Sequence, residues 1–264
     1  MQTIIDEVFF MSKKHTAAPL SVSQNYITSP ALIRRLLSRT TITKNDHVVE
    51  IGPGKGHITR ALLACCGHVT AVELDTQLYA RLRDQWPQEP RLTLRNQDFL
   101  TWPLPKGLYK MFANIPFNHT TAIIRKLTQA TNPPQEMWLV MEKGAAKRFL
   151  GRPGESQVSL VIKPFYRVHI AYHFRREDFH PAPGVDVVLV HFHKKAHSDI
   201  APGQLQAYER FIAQGLQRGV HATAKQMGMA QRTAQQMLAD ANSGFTSDDQ
   251  LYVQWLCLFR CGIH

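Results

Sequence analysis

The stretch VVEIGPGKGHIT, Val48 to Thr59, decides how this chain is read. A short apolar run carries an acidic residue, Glu50, near its end. Gly52, Gly54 and Gly56 follow at alternate positions, and HITRALLACC then has the spacing of a helix. Strand, glycine turn and helix in that order bring bare backbone close to a ligand at a helix start. Glycine spacing alone has low specificity. A dinucleotide-binding turn reads G-x-G-x-x-G, whereas here the third glycine comes one residue early and His57 stands in the expected place. That argues against a nicotinamide oxidoreductase.

Outward from this turn, helical and strand-like segments alternate from about residue 29. Ser29-Pro30 reads as an N-cap followed by a first helical proline, opening PALIRRLLSRT. HVVEIG, HVTAVELD, RLTLRN, YKMFANI and EMWLVME read as strands, and TQLYARLRDQW, TTAIIRKLTQA and GAAKRFLG as helices among them. Such alternation predicts βαβ units and a mostly parallel sheet covered on both faces. RVHIAYHF and VDVVLVHFH are two late strands joined by the loop RREDFHPAPG, which predicts an antiparallel edge. After KKAHSDIAPG three helical patterns follow without a strand. A boundary is therefore expected near residues 196–203, between an α/β domain over 1–196 and a small all-helical domain over 197–264.

The 264 residues are 44% hydrophobic and 19% charged, a globular composition with room for one large and one smaller domain. No run nears the roughly 20 apolar residues of a membrane helix. MQTIIDEVFF carries acidic residues where a signal peptide is basic, and no role is assigned to it. A cytoplasmic location is expected, which makes the Asn118-His119-Thr120 sequon a chance match. Cys65, Cys66, Cys257 and Cys261 follow neither a disulfide nor a zinc pattern and are expected as buried free thiols. His191 and His193 share a strand face, but the thirteen histidines show no ligand spacing, and no metal is expected.

The net charge of +11 is unevenly placed. Residues 1–60 carry 8 basic and 4 acidic side chains, 61–200 carry 18 and 12, and 201–264 carry 5 and 4. Lys143, Lys147, Arg148, Arg152, Lys163, Arg167, Arg175 and Arg176 fall in one segment against Glu155 alone. So one-sided a run is the footprint of a phosphate-backbone binder; a solvated basic face is the plainer alternative.

In open α/β sheets the ligand crevice lies at the carboxyl ends of the strands. There the sequence places Gly52, Glu73, Asp98 and Asn114. The combination resembles an S-adenosylmethionine-dependent methyltransferase with a Rossmann-like class I sheet. The resemblance implies that Glu73 holds the cofactor ribose and Asp98 its adenine amino group, with the glycine loop beside the methionine part. Ile27, Glu50, Leu74, Phe99 and Asn114 complete the implied cofactor set.

KMFANIPFNHT, Lys110 to Thr120, then becomes legible. Asn114-Ile115-Pro116-Phe117 resembles the [DN]-[PIL]-P-[FYW] signature of amino-group methyltransferases, and its N-[IL]-P-[YF] form that of the rRNA adenine dimethyltransferases. An exocyclic adenine amine is a poor nucleophile because its lone pair is delocalised into the ring. Hydrogen bonds to the Asn114 side-chain oxygen and to a backbone carbonyl at Ile115-Pro116 would favour a tetrahedral nitrogen. Its lone pair would then be aimed at the methyl, with Phe117 stacked on the extruded base. No general base of matched pKa is required, since the proton becomes acidic after transfer; positioning and electrostatics carry the reaction.

Three further segments narrow the resemblance. In SQNYITSP, Gln24 and Asn25 match a motif that approaches the methionine end of the cofactor. DFHPAPGVDVVLV resembles the F-x-P-x-P-x-V loop, which puts Phe179 near the target base. MEKGAAKRFLG is similar to V-E-x-G-x-A-K-R of the Erm branch, the 23S rRNA adenine methyltransferases that confer macrolide, lincosamide and streptogramin B resistance. The match runs in order over roughly residues 21–193. It departs at Val187, where serine is usual, and at Phe117, where tyrosine is commoner. The resemblance implies a monomer acting on protein-free or precursor 23S rRNA. One rival is the small-subunit (16S) adenine dimethyltransferase, which shows E-I-G-P-G-x-G-x-L-T and a Q-K-E after the fifth strand. Another is a non-catalytic nucleic-acid-binding protein on the same scaffold, which would have no need of Glu50, Glu73, Asp98, Asn114 and Phe117.

Overall fold

The computed structural model describes residues 25–228, 235–236, 239 and 250–261. Its strands are β1 (Tyr26–Ile27), β2 (His47–Ile51), β3 (His68–Glu73), β4 (Leu92–Asn96), β5 (Lys110–Asn114), β6 (Glu136–Glu142), β7 (Tyr166–His173), β8 (Phe179–His180) and β9 (Val187–Lys194). Seven of them form one sheet in the order β4-β3-β2-β5-β6-β9-β7. β2 to β6 are parallel, and β9 runs antiparallel to both β6 and β7. The reversed strand foreseen late in the chain is thus β9, one place in from the edge that β7 occupies.

From β2 the chain winds outward to β4 and then returns to lay β5 on the other side of β2. Connections leaving the carboxyl ends of β2 and β5 diverge, and such a switch point opens a crevice between them. Gly52 and Asn114 end those two strands.

Period-two alternation explains how the sheet is covered. Val49, Ile51, Met111, Ala113, Met137 and Leu139 point to one hydrophobic cluster. There they meet α4 (Thr120–Thr128) and α5 (Lys143–Leu150). Val48, Phe112, Trp138 and Val140 point to the other cluster, against α1 (Pro30–Leu37) and α2 (His57–Cys65). Ser29 caps α1 by accepting from the Leu32 N–H at 3.3 Å, with Pro30 at the first turn. Asp75 does the same for α3 (Thr76–Gln85), accepting from Gln77 and Leu78. A short helix that no sequence pattern announced, α6 (Gln157–Ile162), begins at a capping box between Ser156 and Ser159. Its Leu160 joins a third cluster with Tyr208 and Ile212 of α7 (Leu205–Arg218), Ala224 of α8 (Val220–Gln226), and Trp255 and Leu258 of α9 (Gln250–Cys261). The helical pattern AQRTAQQMLADA lies largely outside the described residues.

Of the four cysteines only Cys66 is buried. Cys65 and Cys257 lie on helix flanks, and Cys261 ends α9 in solvent. The histidines also behave otherwise than their linear spacing suggests. β9 is paired with β6 so that His191 Nε2 lies 2.8 Å from one Glu136 oxygen and His193 Nδ1 3.5 Å from the other. The Thr41 hydroxyl donates to the same carboxylate at 2.9 Å. This group has the compactness of a ligand set, at the amino end of β6, the edge of the sheet away from Asn114.

Candidate active site

The three glycines of the turn after β2 all have positive φ: +60° at Gly52, +57° at Gly54 and +77° at Gly56. L side chains avoid that region, so the sequence can only build this turn from glycine. At Gly54 space matters as well: a Cβ would stand 2.4 Å from Cε1 of Tyr26, whose ring lies on the turn. Above Gly52 there is open space. The Lys55 ammonium sits 5.2 Å from the centre of the Tyr26 ring.

Two buried carboxylates flank the turn. Glu73, 3% exposed at the end of β3, accepts from the Gly54 N–H at 2.9 Å and from the Asp75 N–H at 3.0 Å. Glu50 is 1% exposed and accepts from the Thr59 hydroxyl at 2.6 Å. Burial pushes the Glu50 carboxyl up to about 8, and the charge of Glu73 adds to the effect. Burial raises Glu73 as well. Burial makes both of these acids, at the ends of adjacent strands, harder to ionise than a free carboxyl, and a cation beside them would favour their ionised forms. The donor set therefore suits a positively charged ligand.

Asn114, at the end of β5, has its side chain fixed by one strong contact. Its Nδ2 donates to the Asn25 carbonyl at 2.6 Å. A carbonyl partner can only receive the NH₂ end, so the amide orientation is set and Oδ1 is the end left to accept from a ligand. Ile115 is buried and its N–H is held by the Val140 carbonyl at 3.2 Å. Pro116, with φ −60°, leads into a single 3-10 turn, Phe117–His119. Phe117 packs half-buried against the cluster that holds Ile27 and Phe179.

β1 and β8 explain how distant motifs meet. Tyr26 pairs with His180 and Ile27 with Phe179 in a separate two-stranded ladder. Asn25 precedes that ladder and reaches Asn114; Tyr26 lies on Gly54. Four segments far apart in sequence thus converge on one edge. Gln24 lies outside the described residues.

Beyond β4, Asp98 is exposed and its Oδ1 accepts from the Leu100 N–H at 2.8 Å, while Phe99 is 5% exposed. Leu74, next to Glu73, is 48% exposed, an apolar side chain left in solvent at the same edge. Sequence reasoning missed Lys126 of α4. Its ammonium donates to the carbonyls of Phe99 (2.5 Å), Leu100 (3.0 Å) and Trp102 and lies 5.0 Å from the Phe99 ring centre. A lysine set among Ile123, Ile124 and Leu127, all buried, was the available signal. Tyr26 and Thr59 were missed too, for want of a motif position assigned to either.

The profile of ribosomal RNA adenine dimethylases matches residues 16–251. The chain belongs to that family. Among its relatives, an rRNA adenine N-6-methyltransferase of Limosilactobacillus reuteri is 34% identical over 203 residues, 76% of this chain and 80% of that one. A ribosomal RNA small subunit methyltransferase A of Chlorobium luteolum is 30% identical, over 75% and 74% of the two chains. The solved 23S rRNA methyltransferase ErmE superposes with a TM-score of 0.77 over 91% of this chain and 100% of that one, at 24% identity, which establishes the shared fold.

The basic residues singled out in the sequence do not form a single patch. Lys147 and Arg148 are exposed in the last turn of α5, and Arg152 is exposed just beyond it. Lys143 faces Asp186 at 3.7 Å, and Arg175 and Arg176 are exposed past the carboxyl end of β7. Two of the eight stand apart from the others. Lys163 is only 13% exposed and its ammonium is paired with Glu155, so its charge acts within the fold. Arg167 is in register with His193 and hence with Glu136, which puts it at the amino edge of the sheet, away from Asn114.

Proposed function

We propose that this protein transfers methyl from S-adenosylmethionine to the exocyclic amine of one adenine in the peptidyl-transferase loop of 23S rRNA, conferring macrolide, lincosamide and streptogramin B resistance. The carrying observation is the Asn114 side chain, locked by Asn25 with its oxygen left as acceptor at the switch point beside the glycine turn.

S-adenosylmethionine supplies an electrophilic methyl on a cationic sulfonium. The buried pair Glu50 and Glu73 supports binding of such a cation, Glu73 from the position where an acid grips ribose hydroxyls. Open space over Gly52 admits a ligand against the backbone, and exposed Leu74 with Asp98 would hold an adenine. Asn114 Oδ1 would accept from the target amine, with the Ile115-Pro116 backbone as second acceptor. The lone pair is thereby freed from the ring. Phe117 would stack on the extruded base, and Phe179, buried in the cluster that Phe117 packs against, would lie near it. Every one of these roles is positioning, and none needs a titrating base.

The choice of the large-subunit RNA rests on MEKGAAKRFLG, where the small-subunit branch carries Q-K-E. The Chlorobium relative keeps the second branch as the alternative. Incubating protein-free 23S and 16S transcripts with labelled methyl donor separates them. Label in 23S at a single adenine N6 is the expected result. Label confined to 16S overturns the assignment.

A further inference from the structure

A cavity of about 260 Å³ is lined by Arg35, Arg39, Tyr172, Arg175 and Asp178. It lies between α1 and the loop after β7, outside the cofactor and base sites. Three arginines line it against one acid; Asp178 accepts from the Arg175 backbone N–H at 2.8 Å, and the Arg175 guanidinium also makes an exposed ion pair with Glu177 at 3.2 Å. Tyr172 organises the group. Arg35 Nη2 donates to its hydroxyl at 2.8 Å, and the guanidinium carbons of Arg35 and Arg39 lie 5.6 and 5.7 Å from its ring centre. Two like charges on one ring repel each other, and the arrangement is relieved by an anion between them. Offsetting the dipole of α1 would need only its own last-turn residues Arg34 and Arg35, and does not account for Arg39 and Arg175 lining the same cavity.

A backbone irregularity creates this arrangement. Val168 and Ile170 of β7 pack with the cluster under α4 and α5. Between Ile170 and Tyr172 the register with β9 slips by one residue. After that slip Ala171, Tyr172 and Phe174 all pack on the opposite cluster, the one beneath α1. An unbroken strand would turn Tyr172 to the same face as Ile170, away from Arg35. Bulges re-aim side chains in this way beside functional sites.

The cavity is also joined to the target site. The Tyr172 and Phe174 rings are 5.0 Å apart, and Phe174 and Phe179 are 5.1 Å apart. Phe179 is the partner of Ile27 in the ladder that leads to Asn25 and Asn114.

We infer that Arg35, Arg39 and Arg175, arranged on Tyr172, form a pocket for one backbone phosphate of the RNA strand that carries the target adenine. This rests on the function proposed above and extends it. Guanidinium forks match phosphate oxygens in pairs, which lysines would not do. The pocket fixes the strand beside the extruded base and reads no sequence.

Synthetic stem-loops with the target adenine, each with one methylphosphonate linkage in place of a phosphodiester, test the assignment against Arg35→Gln, Arg39→Gln and Arg175→Gln. On unmodified RNA each variant should bind roughly tenfold more weakly, with the slope of log affinity against log salt reduced by about one. Cofactor affinity and melting temperature should match wild type. One methylphosphonate position should weaken wild-type binding by the same factor and leave the variants no weaker than before. Arg35→Lys, which keeps charge but loses the fork, should recover part of the loss. Unchanged affinity and slope in all three variants overturn the inference. So does loss of inorganic phosphate binding with RNA affinity intact, which would assign the pocket to a free anion. The binding readout needs no turnover and is made with whichever rRNA stem-loop the wild type methylates. An error in the target RNA therefore shows in the wild-type methylation alone, separately from failure of the pocket.

Discussion

Asn114 was legible as a functional residue because an amide, a proline and an aromatic ring end an otherwise apolar strand. Its orientation was not, because it depends on a carbonyl 89 residues away. Asn114→Ala should lower methyl transfer by roughly 10²–10³-fold, the usual cost of one preorganised acceptor or donor at a reacting centre. Calorimetric cofactor affinity should fall far less than the rate; a loss of affinity as large as the loss of rate would make cofactor binding, which the family resemblance also implies for Asn114, its main role. Glu50 carries the second residue-level expectation. Its folded carboxyl titrates near 8 against 4.5 for the free group. Between those values the folded state binds more proton than the unfolded one, so stability from this group is full at low pH and declines as pH rises toward 8. Glu50→Gln keeps an acceptor for Thr59 and removes the titration. The difference in melting temperature, variant minus wild type, should therefore grow from about pH 5 to pH 8 and level off above it. A difference that is flat with pH would mean that Glu50 titrates normally.

At the scale of elements, the central strands could be read because burial on both faces makes them continuous apolar runs, and their helices because apolar residues recur at helical spacing, with Ser29 and Asp75 capping α1 and α3. β1 and β8 could not. Each is two residues long, and neither has a pattern of its own; only the partner strand defines it. The six-residue α6 is hidden for a similar reason, being too short to show a period. Lys126 shows what such gaps conceal. Three carbonyls of the loop after β4 converge on its ammonium, coupling the helix that follows Phe117 to the segment that carries Asp98. Lys126→Met keeps the stem and removes the charge, leaving three part-buried carbonyls without their donor. Cofactor affinity should fall about tenfold, a loss near 1.4 kcal/mol. The maximal rate at saturating cofactor should change little, and amide exchange should rise in residues 98–102. A fall in maximal rate with unchanged affinity would place the effect of Lys126 on the target side instead.

For the whole molecule, composition announced a nucleic-acid partner through a net charge of +11, but it did not say which charges face outward toward that partner. Sequence proximity grouped Lys163 and Arg167 with Lys147 and Arg148; folding separates them. Lys163 is paired with Glu155, and Arg167 sits at the amino edge of the sheet, whereas Lys147 and Arg148 are exposed on α5, which leaves the carboxyl end of β6. Counterion release makes this difference measurable, because only side chains that neutralise phosphates contribute to the salt dependence of binding. Lys147→Ala with Arg148→Ala should weaken RNA binding and reduce the slope of log affinity against log salt by roughly 1.5. Arg167→Ala should leave the slope as it was. Lys163→Ala should also preserve the slope while lowering the melting temperature, since it takes the cation away from the Glu155 carboxylate. Equal slopes for the double variant and the wild type would route the RNA elsewhere. A reduced slope for Arg167→Ala would extend the RNA path to the amino edge, over the Glu136, His191 and His193 cluster.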